Sequence, residues 1–193
     1  MSPATVLTVE GLHCPGCTER PLSFALAAGL SLVRGGEQRG KTSLLRLLAE
    51  RAAAPQQAIA CFLQDPTDQA HDPVVAGAWL EDLRQRFAAG WNESTAAALV
   101  EALALAEHMA KPLYMLSAGS RRKVGLVAAA ASGARLTLLD QPYAALDARS
   151  ARLLSELLAE AAQGRERAWV LADYELPAAL AGVRLAATID LGD

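Results

Sequence analysis

Apolar residues along this chain follow two rhythms, and the switches between them outline the fold. Residues 5–10 and 22–26 carry the branched and apolar runs of β-strands, and Ser31-Leu32-Val33-Arg34 is a third short strand. The stretch KTSLLRLLAE (41–50) then spaces its leucines as an amphipathic helix. A further apolar run, Ile59-Ala60-Cys61-Phe62-Leu63, stops at Gln64-Asp65-Pro66, where proline ends the strand. From 67 to 114 the period is helical, with helices predicted over 74–87 and 94–106 on either side of Gly90-Trp91-Asn92. After Ser120 come a helix to about residue 131, a buried strand at 135–140 and a helix at 147–162. Late strands are predicted at 168–172 and 184–191. Strands alternating with helices predict an α/β fold with a mostly parallel sheet flanked by helices. The helical middle, about 66–122, reads as an insertion into a single domain spanning 1–193.

Composition narrows the class. With 52% hydrophobic residues the chain has ample material for a core, and a formal charge of −3 gives no general attraction to nucleic acid. No apolar run approaches the roughly 20 residues that span a bilayer. The N-terminus lacks a basic region followed by an apolar segment, so no secretory signal is read there. Three cysteines do not make a secreted disulfide framework, and a reducing cytosol is the expected location. Any membrane association is expected through a partner.

The chemistry concentrates at Gly35-Gly36-Glu37-Gln38-Arg39-Gly40-Lys41-Thr42, which fits G-x-x-x-x-G-K-[ST] and continues into Ser43. A glycine-rich turn between a strand and a helix aims several backbone N–H groups and the positive helix end at one anion. Lys41 can reach the β- and γ-phosphates, and the Thr42 hydroxyl is placed to ligate Mg²⁺. Arg135-Leu136-Thr137-Leu138-Leu139-Asp140 has the form of a buried strand ending in a carboxylate. In phosphate-loop enzymes such an aspartate holds the same Mg²⁺.

The order of motifs resembles the ATP-binding cassette (ABC) family. Leu116-Ser117-Ala118-Gly119-Ser120, followed by Arg121-Arg122-Lys123, is similar to that family's signature segment. Ala144-Ala145-Leu146-Asp147 resembles the loop that crosses the family's dimer interface, and Gln64 matches the glutamine that contacts Mg²⁺ and relays to membrane subunits. The resemblance runs from about residue 5 to 191. The short length and the LSAGS wording resemble the haem-exporter cassette of cytochrome c maturation. It implies a P-loop NTPase of ABC type that binds ATP with Mg²⁺ and pairs with a second ABC subunit. It also implies a polytopic membrane transporter subunit as partner and a place at the inner face of the membrane. Ser117 and Gly119 would receive the γ-phosphate held by the other subunit; the plainer alternative is a helix cap followed by a solvated basic turn.

The chain departs from the family pattern at several points. Gln141 stands where the resemblance calls for glutamate, and an amide orients water without taking its proton, a loss worth on the order of 10²–10⁴ in rate. The switch histidine is absent from Ala172-Asp173-Tyr174-Glu175, and Tyr174 holds its place. Binding and hydrolysis therefore separate: Mg·ATP binding is expected, with slow turnover. Homodimer and heterodimer both remain open, as does adenine against guanine. Between Lys41 and Gln64 the chain is too short for the usual antiparallel subdomain, so a reduced one is expected. No aromatic residue near the N-terminus offers itself for stacking on a base; His13 lies in that region and reads as a surface residue or a stacking one.

Three features stay open. Cys14-Pro15-Gly16-Cys17 reads as a structural pair or as a metal or redox site, while Cys61 reads as core. Trp79, Leu80, Leu83 and Phe87 form an apolar stripe expected to face the core, with a partner groove expected near 64–73. The function classes are a transporter's ATP-binding subunit, a soluble ABC-type clamp, and a metal-responsive module using the cysteine pair.

Overall fold

β-Branched and leucine-rich runs become strands where both of their faces can be covered. In the computed structural model, which describes residues 4–17 and 20–192, β1 (Thr5–Leu12) and β2 (Leu22–Ala27) pair antiparallel in a small sheet of their own. The remaining strands are β3 (Gly29–Arg34), β4 (Cys61–Gln64), β5 (Leu136–Asp140), β6 (Ala168–Asp173) and β7 (Ala187–Asp190). They form a parallel sheet in the order β4-β5-β6-β3-β7. Its inner strands are buried on both sides, as parallel sheets require; every residue of β5 is buried.

Among the described residues there are five α-helices, of which α1 (Lys41–Ala53), α4 (Ala118–Ala131) and α5 (Ala148–Gln163) pack on the sheet, while α2 (Ala76–Arg86) and α3 (Glu93–Ala102) pack on α4. Period-2 alternation divides the strands between two cores. Val33, Leu136, Leu138 and Val170 pack with α1 and the β1–β2 pair. Leu32, Leu139, Trp169 and Leu171 face the other way, toward the cluster that includes α4 and α5. Leu44, Leu45 and Leu48 of α1 are fully buried, and each such side chain stabilises by about 1.5–3 kcal/mol over exposure.

The helices between β4 and β5 differ in detail from the sequence reading. α2 starts at Ala76 rather than 74, because the backbone N–H groups of Ala76 and Gly77 donate to the carbonyls of Lys111 and Met109 (both 2.9 Å). α3 ends at Ala102, short of 106. Ala104 turns left-handed at φ 53, which lets Leu105 bury completely, and a separate 3₁₀ turn covers Ala106–His108. Nothing in that stretch marks the break, since alanine is a strong helix former. α4 begins at Ala118 rather than after Ser120, because the Ser117 hydroxyl caps it by accepting from the Ser120 N–H. At its far end Gly133 takes φ 62 against the backbone of Gly90; a Cβ there would stand 2.1 Å from the Gly90 carbonyl oxygen.

Cys61 was expected in the core and is instead half-buried on the edge strand β4. Leu80, Leu83 and Phe87 are buried as expected, whereas Trp79 is half-buried against the core.

Candidate nucleotide-binding site

All five parallel strands end on a polar residue: Gln64, Asp140, Asp173, Arg34 and Asp190. In open parallel sheets, ligands bind in the crevice outside this carboxyl edge. The chain leaves β3 there, runs through Gly35 to Gly40 and enters α1. Gln38 and Gly40 are left-handed, at φ 59 and 73, and Gly40 caps α1 without a side chain. The first N–H groups of α1 therefore face the loop rather than a capping oxygen.

Lys41 is 5% exposed, and its ammonium donates to the carbonyls of Gly35 and Gly36, both at 2.6 Å. Its Nζ also lies 4.4 Å from the centre of the Tyr174 ring. Burial lowers the lysine's pKa, and the nearby carboxylates of Asp140, Asp173 and Glu37 oppose that shift. A cation held by weak neutral acceptors is free to change partners when a stronger anion arrives.

At the end of β5, which β6 separates from β3, Asp140 Oδ2 accepts from the Thr42 hydroxyl of α1 at 2.6 Å. The other oxygen, Oδ1, is buried with no hydrogen-bond partner. Burial raises the Asp140 pKa; the Thr42 hydrogen bond, Lys41 and Arg122 pull it down, and Asp65 adds to the rise. A hydroxyl beside a carboxylate with an uncommitted oxygen is a set of hard oxygen donors, which is what Mg²⁺ prefers. The residues fit the ion.

The cleft beside the loop has a volume of about 360 Å³ and is lined by Glu37 to Ser43, by Gln141 and Tyr174, and by Pro15 and Gly16. Glu37, Gln38 and Arg39 are exposed, while Thr42 and Ser43 are half-buried in the first turn of α1. Gln141 adopts φ 43 and donates its backbone N–H to Ala172 at 2.9 Å. A left-handed non-glycine residue at the end of β5 carries local strain of the kind that gathers at functional sites. Tyr174 is 47% exposed, and its hydroxyl donates to Glu37 Oε1 at 3.2 Å. His13 is exposed and does not line this cleft.

Gln64 does not line this cleft, and its Oε1 is buried without a hydrogen-bond partner. Its Nε2 donates to the Arg122 carbonyl at 2.8 Å, and its amide packs so closely on Gly125 that a Cβ there would stand 2.4 Å away. It ties β4 to α4 and borders a second groove of about 770 Å³, along with Pro66, Trp79, Phe87 and Arg121. The signature residues lie at the start of α4. A Cβ on Gly119 would meet the Ala145 carbonyl oxygen at 2.5 Å, so LSAGS and the Ala144–Asp147 loop touch within one chain. Asp147 caps α5 by accepting from the Ser150 N–H at 2.9 Å and pairs with Lys123 at 2.6 Å. The Lys123 hydrogen bond, followed by those from Ser150, holds its carboxyl well below the usual range.

Two groups near the site were not singled out from the sequence. Asp173 ends β6 as Asp140 ends β5; burial raises its pKa, while the Tyr174 N–H, Lys41 and Arg122 oppose the rise. Arg122 donates to the Ala144 carbonyl at 2.8 Å, and burial lowers its pKa against the pull of Asp140 and Asp173. Asp173 was accessible to the rule that already placed Asp140, a carboxylate closing a buried strand. Arg122, inside a basic run, gave no signal of its inward turn.

Comparison with known proteins accords with this geometry. A model of the ABC transporter family matches residues 20–144. The "Cytochrome c biogenesis ATP-binding export protein CcmA" of Cereibacter sphaeroides is 34% identical over 158 residues, covering 79% of this chain and 75% of that protein. The protein of the same description from Paramagnetospirillum magneticum is 34% identical over 183 residues, 82% of each. Among solved structures, an inward-facing putative metal-chelate type ABC transporter aligns with a TM-score of 0.71 at 21% identity, covering 97% of this chain and 80% of that one. At that identity the likeness speaks for the fold alone. A family match across more than half of the chain, together with relatives above 30% identity over most of it, is decisive: the chain belongs to the ABC transporter family and is related within it to CcmA-type ATP-binding subunits.

Proposed function

We propose that this chain is the ATP-binding subunit of an export-type transporter. It would bind Mg·ATP at a composite dimer interface and drive a separate membrane subunit, with slow hydrolysis in its own site. The observation that carries this reading is the joined set of Lys41, Thr42 and Asp140, one poised cation beside a hydroxyl and carboxylate. In the proposed sequence, Lys41 exchanges the carbonyls of Gly35 and Gly36 for phosphate oxygens, and the loop N–H groups cradle the triphosphate. Thr42 and Asp140 would hold Mg²⁺, with Gln64 as a further candidate; the ion supplies charge neutralisation on the phosphates. Gln141 positions the water by hydrogen bonding and cannot accept its proton, so the step lacks a base. Tyr174 gives way from Glu37 to admit the terminal phosphate.

In the same reading, the segment of about 66–122 acts as a helical subdomain. Its Ser117 and Gly119 would complete the site of a second ABC subunit, with Asp147 beside them. The groove bordered by Gln64 would take the membrane subunit, which would hold this chain at the membrane; no helix among the described residues is long and apolar enough to cross one. Among the described residues no cluster of three or more His, Cys, Asp or Glu side chains is set to hold a metal. The metal-responsive alternative thus has less support than the nucleotide site. Steady-state ATPase assay of the purified chain tests the reading: low turnover is expected, and cassette-type turnover without a partner would contradict the impaired site.

A further inference from the structure

The C-x-x-C turn is the motif that nucleotide chemistry leaves unused, and it lies flush against the phosphate loop. Cys14 and Cys17 are joined by a disulfide, with Cα atoms 5.3 Å apart. Gly16, between them, takes the left-handed φ of 81 that closes the turn. Both cysteines are buried, at 4% and 5% exposure. The Gly40 carbonyl oxygen lies 3.4 Å from Cys17 Sγ and 4.0 Å from Cys14 Sγ. There is no slack in this contact. A Cβ added to Gly40 would stand 2.7 Å from Cys17 Sγ and 2.9 Å from the Cys17 backbone nitrogen. Gly40 is also the residue from which α1 starts, and its carbonyl accepts the first helical hydrogen bond, from the Leu44 N–H at 2.8 Å. The cysteine pair therefore buttresses the junction of loop and helix, and Pro15 and Gly16 line the same cleft.

We propose that Cys14 and Cys17 are a reversible dithiol–disulfide site whose oxidation state sets the affinity of the phosphate loop for nucleotide. The proposal rests on the nucleotide reading of that loop. Bonded sulfurs lie about 2.05 Å apart, whereas two thiols need a full van der Waals separation. Gly40 gives no room on its side, so reduction displaces the last glycine of the loop and the N–H groups around it. The disulfide form holds the cradle; the dithiol form loosens it.

The exchange is balanced with a low-molecular-weight disulfide such as oxidised glutathione as oxidant. One cysteine thiolate attacks a sulfur of that disulfide, forming a mixed disulfide and expelling one thiolate. The second cysteine thiolate attacks the protein sulfur of the mixed disulfide and expels the other. The two protons given up by the cysteines pass to the two departing thiolates, so the protein loses two hydrogens and two glutathione thiols form. In a reducing compartment a disulfide of this kind is transient and suited to sensing. Cys61 stands apart on β4, and no partner cysteine is placed beside it among the described residues.

The test measures Mg·ATP affinity by calorimetry on the full chain in two states, oxidised with glutathione disulfide or reduced with a dithiol, each confirmed by intact mass. The disulfide form is expected to bind on the order of tenfold more tightly. By reciprocity, saturating Mg·ATP lowers the pair's midpoint potential by about 30 mV for that factor. The Cys14→Ser/Cys17→Ser variant binds like the reduced protein in both buffers. Equal affinities, tighter binding by the reduced form, or a chain that forms no internal disulfide would each overturn the switch while leaving the nucleotide site standing. Binding by neither form would overturn the nucleotide reading itself, and the switch with it.

Discussion

At the scale of single residues, the site is defined by charges that the fold holds at some cost. Burial keeps the Asp140 carboxyl above its ordinary pKa. A carboxyl whose folded pKa is raised weakens the native state as pH climbs from the unfolded value, about 3.9, to the folded one, and the penalty is complete above that window. Asp140→Asn removes the penalty while leaving an acceptor for Thr42. Without nucleotide, that variant should melt above the wild type at pH 7 by roughly 2–4 °C for each kcal/mol relieved. The difference should vanish in acid below about pH 4. Its Mg²⁺-dependent stabilisation by ATP should be absent, as differential scanning calorimetry would show; a lower melting point than wild type would contradict the assignment. Gln141 carries the second residue-scale prediction. Gln141→Glu should raise kcat on the order of 10²-fold by restoring a base, with a further gain when Tyr174→His is added. An unchanged kcat in the double variant would show that these positions do not limit turnover.

At the scale of elements, close backbone contacts matter more than any apolar pattern. The turn after α4 depends on Gly133, which is left-handed and sits where a Cβ would strike the Gly90 carbonyl. Gly133→Ala should cost about 2–4 kcal/mol, from left-handed strain and overpacking together. Urea denaturation would register this as a lower midpoint with an unchanged slope, and a loss under 1 kcal/mol, by the same reasoning, would contradict the contact. The strands and helices were largely legible because their apolar spacing is strong: α1 and β5 fall where KTSLLRLLAE and LTLLD place them. The end of α3 was not legible. Its break at Ala104 serves the burial of Leu105, a tertiary demand that local propensity opposes. The loop and Asp140 could be read because motif spacing carries them. The inward turn of Arg122, the Tyr174–Glu37 hydrogen bond and the seating of Cys17 on Gly40 join residues far apart in sequence, and no spacing rule reaches them.

At the scale of the whole molecule, the proposed composite site asks one chain for two separate surfaces. The phosphate loop opens on the cleft at the carboxyl edge of the sheet, with the buried Asp140 joined to it through Thr42, while Ser117 caps α4 and Gly119, in its first turn, meets the Ala144–Asp147 loop. A surface of each kind on one chain is what head-to-tail pairing of two subunits requires. Mg·ATP, and not Mg·ADP, should therefore bring two copies together, and slow turnover should make the dimer long-lived. Sedimentation velocity would show the doubled mass; a chain that stays monomeric at millimolar Mg·ATP would contradict self-pairing.

The most direct measurement is titration calorimetry of the wild-type chain with Mg·ATP. Saturable heat with a submillimolar Kd, lost on Lys41→Ala and accompanied by a higher melting temperature, is the predicted result. No heat and no thermal stabilisation at millimolar Mg·ATP would contradict a triphosphate cradle at residues 35–42.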